Sequence, residues 1–150
     1  MTTPEVWVLV ADAAGARVLR ADRAEHRLEL LRTHTHPAGR AKPSERVTDR
    51  AGRSFDSTHA GGRHAMEPDT DLRRAKLRRF AHQLASELDQ AAVSGSFDQL
   101  VIVAGDRMLG ELRDALPQRV KARVRQEIGK DLAGLEIHPL TEHLAPDLWP

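Results

Sequence analysis

"DQLVIVA", residues 98–104, decides the fold. After Asp98 and Gln99 it is an unbroken apolar run, the pattern of a strand covered on both faces. A second run, "VWVLVA" (6–11), lies near the N-terminus. Between them Leu77, Phe80, Ala81, Leu84, Leu88 and Ala91 recur at helical spacing and make one apolar stripe. A strand reached from another strand through a helix implies a crossover, so the two runs are expected to lie parallel.

The rest of the chain is read outward from that unit. "DAAG" (12–15) turns the chain, with Gly15 expected to take unusual backbone angles. "ARVLRA" (16–21) and "RLELLRTHTH" (27–36) read as two further strands, and the short links favour an antiparallel meander. "GDRMLGELRDAL" (105–116) reads as a helix with Asp106 as its cap and Met108, Leu109, Leu112 and Leu116 inward. Val120, Ala122, Val124 and Ile128 suit a half-exposed strand, although Val120, Val124, Ile128 and Leu132 also fit a helical stripe. "PLTEHL" (139–144) reads as a short closing helix. The sum is a single α/β domain, residues 1–150, with helices packed on a mixed sheet.

Residues 37–69 stand apart. They hold Pro37, Pro43 and Pro68, four glycines, and only Val47, Phe55 and Met66 as large apolar groups. The reading is a long flexible loop, with the helix after it starting at an Asp69 or Thr70 cap and ending at Gly95. Bases gather along it: Arg40, Lys42, Arg46, Arg50, Arg53 and Arg63, followed by Arg73, Arg74, Lys76, Arg78 and Arg79. Cations at a helix start oppose its dipole, by about 0.3–1 kcal/mol each, and are better tolerated beside phosphate. The competing reading is a solvated face in which Glu45, Asp49, Asp56 and Glu67 pair with these bases.

Composition limits the functions open to the chain. Lys and Arg number 23 against 22 Asp and Glu, so any basic footprint is local. Aromatics are 3% with no tyrosine, which argues against a sheet that stacks bases. The chain has no cysteine, which excludes disulfides and thiolate zinc sites. No signal peptide, membrane span or cofactor fingerprint is visible, and cytoplasm is the expected location. His34 and His36, two apart on a strand, make half a metal site at most. Asp12 closes the first buried strand and Asp106 follows the later one; if those strands are parallel neighbours the two carboxylates could share a magnesium ion, but a nuclease needs further acidic ligands.

"WVLVADAAGARVL", "DRAGRSFDS", "GGRHAMEPDTD", "FAHQLASEL", "FDQLVIVAGDRMLGELRDAL" and "EIGKDLAGL" occur in this order. Together they resemble the bacterial host-attachment protein family over nearly the whole chain. That family is similar to the middle domain of archaeal and eukaryotic peptide-chain release factors, a mixed α/β fold related to ribonuclease H. The resemblance implies that Gly61, Gly62 and Arg63 stand where release factors carry a Gly-Gly-Gln loop that enters the ribosome. Arg63 departs from that pattern, and the catalytic glutamine does not carry over. The expectation is therefore a ribosome- or RNA-associated module without peptide release. Its contacts would be Gly61, Gly62, Arg63, His64, Arg53, Arg73, Arg74 and Arg78. The rival is a protein-interaction module, with a protein partner and an indirect role in attachment.

Overall fold

The computed structural model describes residues 3–36 and 60–149, with side chains from residue 70 onward in the second segment. Strands β1 (Val6–Asp12), β2 (Gly15–Asp22) and β3 (Arg27–Thr35) form the expected meander. Helix α1 (Ala60–Val93) leads to β4 (Gln99–Ala104), then α2 (Asp106–Ala115), α3 (Gln118–Lys121), β5 (Val124–Ile128) and α4 (Ile137–Leu148). The sheet order is β3-β2-β1-β4-β5. β1 pairs antiparallel with β2 and parallel with β4, and β5 continues the parallel side.

Alternation along β1 and β4 builds two cores, one on each face of the sheet. Leu9, Ala11, Leu100, Ile102 and Ala104 point to α1, α2 and α3. Val6, Val8, Val10, Val101 and Val103 point to α4, whose Leu140, Leu144 and Leu148 come round every fourth residue. Each valine, leucine and isoleucine among them contributes about 1.5–3 kcal/mol on burial, which is why residues 6–11 and 100–104 are all apolar. Arg17 on the α4 side is compensated, since its guanidinium donates to the carbonyls of Ala133 (3.0 Å) and Leu135 (2.6 Å).

Several sequence expectations are corrected. Gly15 does not need a left-handed backbone. Its Cα sits so close to β3 that a Cβ would lie 2.5 Å from the His34 carbonyl oxygen. Residues 120–128 are neither one strand nor one helix: Val120 is buried in the turn of α3, and the strand begins at Val124. Gly105, rather than Asp106, is the N-cap of α2. Helix α4 runs past the expected 139–144, carrying Pro146 within it. Gly95 does end α1, at φ +73°, with Ser96 N–H donating to Ala91 O and Gly95 N–H to Ala92 O. These two bonds are the Schellman pattern.

The largest correction concerns the start of α1. No cap interrupts it at Asp69 or Thr70, and its backbone is helical from Ala60, so residues 60–69 belong to the helix and not to a loop. Gly61, Gly62 and Pro68 all disfavour helix locally. A helix already nucleated and packed downstream extends at far lower cost than a new one forms, and this overrides them. The remainder of the expected loop, residues 37–59 with Arg53, lies outside the described residues.

Candidate nucleic-acid interface

Helix α1 is about 50 Å long at 1.5 Å per residue, longer than the sheet it crosses. Its inward stripe is Phe80, Ala81, Leu84, Ala85, Leu88 and Ala92, all buried, with Leu77 partly buried at its edge. Stepping back from Leu77 by three, four and seven residues gives Arg74, Arg73 and Thr70. All three are exposed, and so is Leu72, at 49%. On this stretch the face that packs on the sheet further along is exposed. The N-terminal part of α1 therefore projects beyond the body as an arm.

That arm is cationic. Arg73, Arg74, Lys76, Arg78 and Arg79 fall between residues 70 and 82 with Asp71 as the only acid. At about 100° per residue, Arg74 and Arg78 share one flank and Lys76 and Arg79 the other, roughly 150° away. Arg78 also approaches Glu111 of α2 at 3.5 Å and remains 58% exposed. Elsewhere on the described surface several bases sit with acids. Arg20 donates to Glu5 at 2.6 Å, and Arg113 to Glu127 at 2.9 Å. Both guanidiniums are raised above their ordinary pKa, first by that hydrogen bond and then by the partner's charge. Arg119 lies 2.7 Å from Asp89.

Of the expected contact residues, Arg73, Arg74 and Arg78 come together on this arm, and Gly61, Gly62, Arg63 and His64 belong to its first helical turns. Lys76 and Arg79, noted as bases in the sequence but not as contacts, complete the second flank.

Of the weaker candidates, Asp12, His34 and His36 are engaged elsewhere. One Asp12 oxygen accepts from the backbone N–H groups of Ala14 (2.8 Å) and Gly15 (3.0 Å), the turn role its position suggests. Asp106 opens α2 and would meet a Cβ on Gly129 at 3.2 Å. His34 and His36 do face the same side, toward α1. His34 Nε2 lies 2.8 Å from Glu87, while His36 stacks on Phe80 with centroids 4.4 Å apart. Among the described residues no group of three or more His, Asp or Glu assembles to hold a metal.

Sequence reading missed a cleft of about 430 Å³ between β3 and α1, lined by Trp7, Leu31, Arg32, His34, Glu87 and Ser94 among others. It lies beside the register slip of β3 opposite Val18 and Leu19, with Val18 and Leu31 in its lining. Glu87 bridges it, 3.6 Å from Arg32 and 2.8 Å from His34. The only sequence signal was two polar groups, Arg32 and His34, on a strand beside an apolar meander.

Residues 7–144 match a family described as "Protein required for attachment to host cells". The chain belongs to this family. The matched segment opens in β1 and closes in α4, so family membership covers the sheet, both cores and the arm. No curated protein matches this host-attachment family member. Among the described residues no helix is long and apolar enough to cross a membrane.

Proposed function

We propose that this host-attachment family member is an RNA- or ribosome-associated module, similar to the middle domain of release factors, without peptide-release activity. The observation that carries the reading is the stretch of α1 from Thr70 to Arg79, with five bases against one acid and most of them exposed. Cations gathered on a helix that leaves the body are costly to one another and are relieved by phosphate. The mixed sheet with helices on both faces supports the likeness to the release-factor domain. Arg63 at the glutamine position supports docking over hydrolysis, because a guanidinium suits bidentate phosphate contact and is no substitute for the carboxamide.

Cosedimentation with ribosomes over a range of salt tests the proposal. The Arg74→Ala/Arg79→Ala double variant is expected to bind about tenfold more weakly, with a shallower salt dependence. Its thermal stability is expected to match wild type within about 0.5 kcal/mol, because both side chains are exposed. Absence of binding by wild type, or equal binding by both proteins, sinks the proposal.

A second reading, a protein-interaction module acting indirectly in attachment, is favoured by one observation. Edge strand β3 presents Leu30 and Leu31 at 43% and 40% exposure. Leu30→Lys/Leu31→Lys would abolish such an interaction and leave ribosome binding untouched.

A further inference from the structure

We infer that the RNA taken by the arm is double-stranded, held through the phosphates of both strands; this rests on the RNA-binding reading above. The first ground is the placement of the charges. A single backbone lying along a helix meets one flank, so cations on only one side suffice for it. Here Arg74 and Arg78 occupy one flank and Lys76 and Arg79 the other, roughly 150° apart. A helix about 10–12 Å across with bases on both sides matches a groove bordered by two phosphate strands. In RNA that is the wide, shallow minor groove of the A-form duplex.

The second ground is the state of the aromatic rings. Single strands are gripped largely by stacking bases on exposed rings, worth about 1–3 kcal/mol per base. Trp7 packs against Phe97, with centroids 5.0 Å apart. Trp149 stacks on His26 at 5.1 Å, and His36 on Phe80 at 4.4 Å. Phe80 and Phe97 are buried. Each tryptophan and phenylalanine among the described residues is thus already paired, and Phe80, beside the arm's last bases, is turned into the core. What the arm offers is charge at fixed intervals on a rigid helix, which recognises the shape of a backbone and not the identity of a base.

The experiment uses the full chain and fluorescence anisotropy across a salt series. The probes are an RNA duplex of about 20 base pairs, each of its separate strands, and a DNA duplex of the same sequence, long enough for two successive minor grooves. The RNA duplex is expected to bind about tenfold more tightly than either strand or the DNA duplex. Arg74→Ala and Arg79→Ala, one from each flank, are each expected to lower the salt slope on the RNA duplex by about one. Binding of a single strand or the DNA duplex as tightly as the RNA duplex overturns the inference. A slope change in only one of the two variants overturns it as well. Both results leave the RNA-binding reading standing, whereas failure to bind any probe or the ribosome overturns that reading itself.

Discussion

Two halves of one helix behave as different kinds of structure. From Leu77 to Ala92, α1 buries Phe80, Leu84 and Leu88 against the sheet and ends in a closed Schellman cap. From residue 70 to 76 the same helix is mostly exposed, and its inward positions carry Thr70, Arg73 and Arg74. The backbone is continuous across the boundary, so the difference lies wholly in the side chains. The packed half is held by the fold, and the projecting half is held by the packed half. An element can therefore be structural at one end and available for binding at the other, with no hinge between.

The contrast can be attacked from its strongest point downward. Leu84→Ala empties a site where the side chain is 2% exposed and is expected to cost about 2–5 kcal/mol in a urea melt. Gly95→Ala has open space around the new methyl group but forces an alanine to φ +73°. It should cost about 1–2 kcal/mol in the same melt. Leu72→Gln, on the arm, should leave the midpoint within about 0.5 kcal/mol of wild type despite removing a large apolar side chain. If Leu72→Gln proved as damaging as Leu84→Ala, the projecting half would be packed after all and the contrast would fail.

What the sequence disclosed follows the same division. β1 and β4 were legible because strands covered on both faces tolerate nothing but apolar residues, and the crossover between them fixed their parallel pairing. The packed half of α1 was legible through its stripe. The projecting half was not, because a helix without a core leaves no periodic trace, and Gly61, Gly62 and Pro68 speak locally against it. Residues 120–128 misled because Val120 and Val124 serve different elements while keeping a spacing that suits either. The role of Gly15 was invisible for a different reason: it depends on His34, which only the pairing of β2 with β3 brings near. The bases of the arm were all noted in the sequence. Their division into two flanks, which supports the RNA proposal, appears only once the helix is known to run through them.

The seam between β1 and β4 joins Val6 to Gln99 and Ala11 to Ala104. During synthesis the meander can close as soon as β3 has emerged, but the other edge of β1 waits until Ala104 is available. Throughout that interval the nascent chain offers an open, wholly apolar strand edge to its surroundings. Slow translation between Thr35 and Ala104 would prolong this exposure and with it the opportunity for aggregation.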